Sequence, residues 1–370
     1  MGVGVAVIGT GYMGKCHALS WTSVTSVYGD VERPRLVAIC DADAARAGAC
    51  ASEWGFAQAT ADWRAAIDDT AVDVVSITTP NRFHAEMAIF ALERGKHVWC
   101  EKPMATTLAD AEAMTLAAAK SGRVAALGYN YVQNPAIRHV KRLIESGAIG
   151  AVAHARVEMD EDFMADADEP FSWRAEKSAG YGALDDFGVH AFSLLRTLVG
   201  ETARVCCDMM KPYADRAAAD GSRRAIETYD VATVLLRFAN GASGSIALSR
   251  AAWGRKNRIF VQIFGAKGSI TFDQERLNEL QLYVADGDPA SRGFRTILIG
   301  AEHEPYGLFC PAPGHQLGFN DLKIIECREL LRRIAGGAAH LFDFNEGLKI
   351  ERAVHASARS HESGGWIDVA

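Results

Sequence analysis

The sequence predicts two domains: an α/β domain with a doubly wound parallel sheet over residues 1–127, and an α+β domain with a large, mostly antiparallel open sheet over residues 128–370. Three observations carry this prediction. Up to about residue 125, short apolar runs alternate with Ala-rich helical stretches, the punctuation of βαβ units. Past Val199 the pattern changes to alternating strands separated by glycine turns. The first apolar run, Val3 to Ile8, leads straight into Gly9-Thr10-Gly11-Tyr12-Met13-Gly14, a strand-to-helix turn with the spacing of a phosphate-binding loop.

Taken in order, Leu36 to Cys40 reads as a second buried strand and ends on Asp41. Val72 to Thr78, Ala85 to Arg94, His97 to Cys100, Leu108 to Lys120 and Val124 to Gly128 continue the strand-helix alternation, His97 to Cys100 being the fifth strand. A helix from about Asn134 to Ser146, a strand from Val152 to Met159 and a helix from about Asp186 to Val199 follow. Tyr229 to Phe238 and Ser243 to Arg250 flank Asn240-Gly241, a dipeptide suited to the positive φ angles of a tight hairpin. Arg258 to Phe264 and Ser269 to Phe272 flank Gly265-Ala266-Lys267-Gly268 in the same way.

Composition fits a soluble enzyme: 370 residues, 49% hydrophobic and 23% charged, are enough for a large core in two domains. A net charge of -7 without a Lys/Arg block argues against nucleic acid or an anionic membrane surface as partner. The eight cysteines are scattered, with no C-x-x-C pair and no histidine spacing for zinc, so no metal is expected. No run of 18 apolar residues occurs and the first residues show no signal-peptide pattern, so a cytoplasmic location is expected.

Chemistry-bearing residues gather at three places. After the first strand, the glycines let the backbone approach a pyrophosphate, and Asp41 stands where a carboxylate accepts hydrogen bonds from an adenosine ribose and repels a 2′-phosphate, which favours NAD over NADP. The interval from Gly14 to Asp41 is 27 residues, longer than the usual spacing of roughly 20, and a surface excursion over Ser26 to Arg35 accounts for the excess. After the fourth and fifth strands come Thr79-Pro80-Asn81 with His84, and Glu101-Lys102-Pro103. Ligands of a doubly wound sheet bind beyond the carboxyl ends of its strands, so Lys102 points at the cofactor crevice, with a surface lysine as the alternative. His84 reads as a capping or packing residue more readily than as a ligand contact. Third, Gly180-Tyr181-Gly182 precedes Asp186 and His190, which share one helix face at a separation of four. A histidine beside a carboxylate suits proton removal from an alcohol, and an N-terminal cap plus a buried histidine is the plainer reading.

Together, Gly9 to Gly14, Glu101-Lys102-Pro103 and Asp186-x-Gly188-x-His190 resemble the glucose-fructose oxidoreductase, inositol dehydrogenase and rhizopine-catabolism (Gfo/Idh/MocA) family over essentially the whole chain. The resemblance implies an N-terminal Rossmann domain, a C-terminal open sheet, NAD as cofactor, and Lys102, Asp186 and His190 as catalytic residues. His190 would be the general base, Lys102 would polarise the reacting oxygen and Asp186 would position the substrate or the imidazole. Many members continue G-x-H-x-x-D; here Ser193 stands at the last position, so no carboxylate is offered from it.

Stretches such as Asp160 to Asp166, Ser172-Trp173-Arg174, Phe272 to Arg276, and Gly314-His315 before Gly318-Phe319-Asn320 are similar to the L-glucose and scyllo-inositol dehydrogenases of that family, with levoglucosan dehydrogenases as more distant relatives. That likeness implies a cyclic polyol or pyranose substrate whose secondary hydroxyl is oxidised to a ketone, contacted by Lys102, Asp162, Arg174, Asp186, His190 and His315. The expected cofactor contacts are Gly9, Thr10, Gly11, Tyr12, Met13, Gly14, Asp41, Thr79, Pro80, Asn81, His84, Glu101, Lys102, Asn130, Trp173 and Arg174. A homo-oligomer, dimer or tetramer, formed through the C-terminal sheet is expected. Two other classes are compatible with these residues: an enzyme whose transient oxidation at a sugar C3 serves glycoside cleavage, and a non-catalytic NAD-binding sensor.

Overall fold

The computed structural model describes residues 2–312 and 314–369. The chain divides into two compact units, Met1–Gln133 with Gly318–Lys349, and Asn134–Leu317 with Ile350–Ala370. The first unit thus recovers residues 318–349 from the C-terminal part, which a single cut at residue 127 does not anticipate.

The first unit opens with β1 (Gly4–Ile8), α1 (Tyr12–Val27), β2 (Arg35–Cys40), α2 (Ala44–Trp54), β3 (Gln58–Thr60), α3 (Trp63–Asp68), β4 (Val74–Ile77), α4 (His84–Glu93), β5 (His97–Cys100), α5 (Leu108–Ser121) and β6 (Ala125–Leu127). The six strands are parallel in the order β3-β2-β1-β4-β5-β6, so the strand order reverses at β1/β4 and opens a crevice beyond their carboxyl ends. β1, β4 and the end of β5 are buried on both faces, which is why they read as unbroken apolar runs. Trp21 of α1 anchors this core: its indole N–H donates to Ser76 Oγ of β4 at 2.9 Å and its ring meets Trp99 of β5 edge-on.

The second unit contains α6 (Pro135–Glu145), β7 (Val152–Asp160), α7 (Val189–Leu198), β8 (Thr202–Met210), the β9–β10 hairpin (Asp215–Ala217, Arg223–Ala225), β11 (Val231–Phe238), β12 (Ser243–Ser249), β13 (Arg258–Gly265), β14 (Gly268–Asp273), β15 (Glu279–Val284), β16 (Arg295–Leu298), the short α8 (Tyr306–Phe309) and β17 (Ile367–Asp368). Its nine-stranded sheet runs β16-β15-β14-β13-β7-β12-β11-β8-β17, antiparallel throughout except for the β7/β12 pair. Burial alternates along β11 and β12, so one face is packed and the other exposed. The β11–β12 hairpin forms, but Asn240 does not take the positive φ expected of it. Gly241 alone does, at +89°, and Asn240 Oδ1 instead accepts from Ala242 N at 3.0 Å. That geometry is a three-residue loop with a single left-handed glycine.

Two long helices complete the chain, α9 (Phe319–Ile334) and α10 (Phe344–Ser363). α9 packs on α1 within the first unit. Among the described residues no helix is long and apolar enough to cross a membrane.

Candidate functional site

In the first unit, the turn after β1 is built so that only glycine fits two of its positions. Gly9 has φ +101°, and a Cβ there would lie 2.7 Å from the Thr78 carbonyl oxygen. A Cβ on Gly14 would lie 2.1 Å from the Gly9 carbonyl oxygen, so its absence lets the first turn of α1 press against the strand end. Gly11 is different. A Cβ there meets nothing within 4 Å, and as the N-cap of α1 Gly11 offers no side-chain acceptor, leaving the helix N–H groups on an open side. That is the cradle a pyrophosphate requires.

Asp41 follows the last residue of β2. Its Oδ2 accepts from Thr10 N at 3.0 Å and from the Thr10 hydroxyl, and Oδ1 accepts from Asp43 N at 3.1 Å. Burial works against the charge, but these donors and the nearby Arg46 hold the carboxyl below its ordinary range, so it is an acceptor at neutral pH. Arg46 spends its guanidinium on the Thr10 carbonyl at 2.9 Å, bracing the turn. Asn130, in a 3-10 turn after β6, is 2% exposed and its amide nitrogen has no partner among the described residues, a buried donor available to a ligand or a water. Tyr12 is exposed and its ring lies 5.9 Å from that of Phe319, while Thr10 is buried and Met13 half-buried. These features fit an extended dinucleotide.

Two expected cofactor contacts are occupied internally. His84 is buried, with Nδ1 2.8 Å from the Pro103 carbonyl and Nε2 3.0 Å from the Thr79 carbonyl, so its ring ties the turns after β4 and β5 together. Burial lowers its pKa, against the two carbonyl acceptors, which favour a second ring proton. Glu101 is buried as well. Its Oε1 is 2.9 Å from His17 Nε2 and accepts from Lys323 Nζ of α9, whose ammonium also reaches Glu326 at 2.9 Å. Burial opposes the Glu101 charge, yet Lys323 and the His17 hydrogen bond overcome it and hold the carboxyl well below the usual range. Its Oε2 accepts from the Lys102 backbone N at 3.3 Å, so Glu101 fixes the backbone that carries Lys102. Lys102 itself is half-buried at the end of β5, and the Lys102-Pro103 bond, left open by the sequence, is cis. Thr79 and Asn81 are half-buried beside the exposed Pro80.

In the second unit, Asp186 and His190 do lie on consecutive turns, but Leu184–Gly188 is a π-helical turn that passes into α7, wider than the plain α-helix expected. His190 is 4% exposed, and the side chain of Asp186 is 19% exposed. Ser193 donates to the His190 carbonyl at 2.8 Å, one turn back in the same helix. Asp186 Oδ2 accepts from Arg250 Nη1 at 2.8 Å, and Arg250 is otherwise held by Asp230 and Thr228. The neighbouring Asp185 is fully buried, and burial pushes its carboxyl up to about 7.

The remaining predicted substrate contacts fall in three settings. Asp162 accepts from Lys256 Nζ at 2.6 Å and Gly254 N at 3.2 Å, which makes it a brace of that loop. Arg174 is exposed, stacked 4.7 Å over the Trp173 ring. His315 is exposed, with Nδ1 3.3 Å from the Ala312 carbonyl. Sequence reading missed Arg250, Asp230, Thr228 and Lys323. Arg250 lies 64 positions from Asp186 and Lys323 lies 222 from Glu101, distances at which no local pattern betrays a partner. Among the described residues no cluster could hold a metal ion.

Comparison with known proteins agrees with this architecture. Residues 3–129 match the family model described as the oxidoreductase family, NAD-binding Rossmann fold, and residues 137–271 match the GFO/IDH/MocA C-terminal domain. Levoglucosan dehydrogenase of Pseudarthrobacter phenanthrenivorans is 37% identical, covering 99% of this chain and 97% of its own. A solved structure of a levoglucosan dehydrogenase in complex with NADH and levoglucosan superposes with a TM-score of 0.96 at 37% identity, over 100% of both chains. The NAD(+)-dependent scyllo-inositol 2-dehydrogenase of Bacillus subtilis is 28% identical over 76% of this chain and 77% of its own. The order of likeness reverses the one read from the short stretches, since those span a few short motifs and identity sums the whole chain. Two matched domain models, a relative aligned almost end to end and a glycine turn shaped for a dinucleotide lead to one assignment: the chain belongs to the Gfo/Idh/MocA family of oxidoreductases and uses NAD as its cofactor.

Proposed function

We propose that this enzyme oxidises one secondary hydroxyl of a pyranose sugar or cyclic polyol to a ketone, with Lys102, Asp186 and His190 acting on the same hydroxyl. The observation that carries the reading is a buried histidine, His190, one turn beyond the Asp186 carboxylate, in a chain whose Lys102 lies two residues past the end of a strand of the dinucleotide-binding sheet. Bound NAD supplies the hydride acceptor that the oxidation of an alcohol requires. His190 removes the hydroxyl proton as the carbonyl forms, because an imidazole exchanges protons near neutral pH. Lys102 holds the reacting oxygen and stabilises its developing negative charge. Asp186 orients the imidazole or a neighbouring substrate hydroxyl, and Arg174 and His315 supply further donors to the ring.

The full-length likeness to levoglucosan dehydrogenase favours a pyranose ring, and makes levoglucosan the first substrate to test beside L-glucose, D-glucose and scyllo-inositol. Initial rates of NADH formation over this panel decide the class. One substrate is expected to outpace the rest with NADH and ketone formed one to one; a glycoside cleaved without net NADH would replace this reading with transient oxidation. His190→Ala is expected to lose roughly 10²- to 10⁴-fold in turnover, the usual contribution of a general base, while NAD affinity is retained.

A further inference from the structure

The most completely satisfied buried cation in the second unit lies behind Asp186. Arg250 follows the last residue of β12 and is 1% exposed. On its inner side, Nε and Nη2 both donate to Asp230 Oδ1, at 3.0 and 2.7 Å, and Nη2 also donates to Thr228 Oγ1 at 3.1 Å. Asp230 is fully buried. With that side pinned, Nη1 is left for Asp186 Oδ2, at 2.8 Å, and Asp186 is the one partially exposed member of the group. Room for the guanidinium depends on Gly182, where a Cβ would lie 3.0 Å from Nη2. Thr228 in turn donates to the Arg174 carbonyl at 2.9 Å, so the same network reaches the turn carrying Trp173 and Arg174.

We infer that Arg250, pinned by Asp230 and Thr228, is a positioning residue that fixes the direction of the Asp186 carboxylate and keeps it ionised for the reaction. The inference rests on the reading that Asp186 belongs to the catalytic set. A guanidinium suits this work because it stays protonated and its rigid fork can hold two carboxylates at once, whereas an ammonium is a single flexible point charge. Burying the cation is costly, and the two carboxylates with the hydroxyl offset that cost. Among the described residues the charged and titratable groups close to Asp186 include Arg250 from the end of β12, Asp230 ahead of β11, and Asp185 and His190 on its own helical segment.

The test compares Arg250→Lys, the double variant Arg250→Met/Asp230→Asn, which removes one charge of each sign and so leaves no buried Asp230 anion, and Asp186→Asn. Each is measured for NAD affinity, melting temperature, kcat, KM and the pH profile of kcat/KM. Removing the guanidinium takes a cation from beside Asp186, so its proton is lost at higher pH and the acid limb of the profile moves up. Both Arg250 variants are expected to bind NAD as the wild type does and to lose between about tenfold and 10²-fold in kcat as a misplaced group would, and the double variant, which alone removes the cation, is expected to show the displaced limb. Impaired Asp186→Asn beside a double variant whose limb is unmoved, or beside Arg250 variants whose activity falls only with their folded fraction, would overturn the inference and leave the catalytic reading standing. Wild-type turnover in Asp186→Asn would overturn both.

Discussion

Gly11 separates two duties that the glycine-rich turn performs at once. Gly9 and Gly14 are required by the fold, since a Cβ at either would collide with backbone, whereas Gly11 faces open space. Gly11→Ala is therefore expected to leave the melting temperature unchanged and to weaken NAD binding by about tenfold or more, the cost of a disturbed hydrogen bond to a charged phosphate. Titration of cofactor fluorescence checks this, and unchanged affinity would contradict the phosphate cradle. Asp41 adds a cofactor preference: its carboxylate repels a 2′-phosphate, so NAD is expected to outperform NADP in kcat/KM, and equal use would contradict the assignment. Asp185 makes a pH prediction. Its carboxyl is raised to about 7 in the fold against an unfolded value near 3.8, so the folded state holds the extra proton. Stability from this group is present in acid and is lost as pH rises from about 4 through about 7. Asp185→Asn keeps an oxygen acceptor for Tyr181 N and has no charge to bury. Its melting temperature is expected to match the wild type near pH 4 and to exceed it increasingly up to about pH 8; a constant difference would contradict the burial argument.

Among the elements, α9 shows why the end of the chain was illegible. Lys323, Glu326 and Glu329 are buried in it, so the apolar stripe that announces an amphipathic helix is interrupted by charge. Their partners resolve the paradox: Lys323 neutralises Glu101, and Glu101 sets the backbone of Lys102. Lys323→Met strands two buried carboxylates and is expected to cost about 3–5 kcal/mol in urea unfolding, with Trp21 and Trp99 as fluorescent reporters. A loss within the range of an exposed ion pair, below about 1 kcal/mol, would contradict the role given to this cluster. β8 hides for another reason. Cys206-Cys207 and Met209-Met210 put apolar side chains on both faces, which erases the alternation. The βαβ half was readable where its strands are buried on both sides, as β1, β4 and the end of β5 are, and where its turns are marked by glycine; the exposed β3 carries no such signal. The site motifs at Gly9 to Gly14 and Lys102 were local, and the clamps behind Glu101 and Asp186 were not.

For the whole molecule, strand order 3-2-1-4-5-6 explains why Gly9, Thr79 and Lys102 belong together: all follow carboxyl ends of strands at or beside the point where the order reverses. In the second unit Asp186 lies on a π-helical turn and His190 on the helix that continues it, and one face of the sheet leaves Leu235 and Met210 exposed on adjacent strands. The expectation of a homo-oligomer predicts a solution mass of two or four chains by light scattering, and a monomer at micromolar concentration would contradict it. The central claim is that Lys102, Asp186 and His190 turn a dinucleotide-binding chain into a ring-alcohol dehydrogenase. Single-turnover hydride transfer in NAD-saturated Lys102→Met, run beside its thermal melt and with the panel's best substrate, tests this most directly. The account predicts a wild-type melt, retained NAD binding and loss of most hydride transfer; a wild-type rate of hydride transfer in that variant would contradict it.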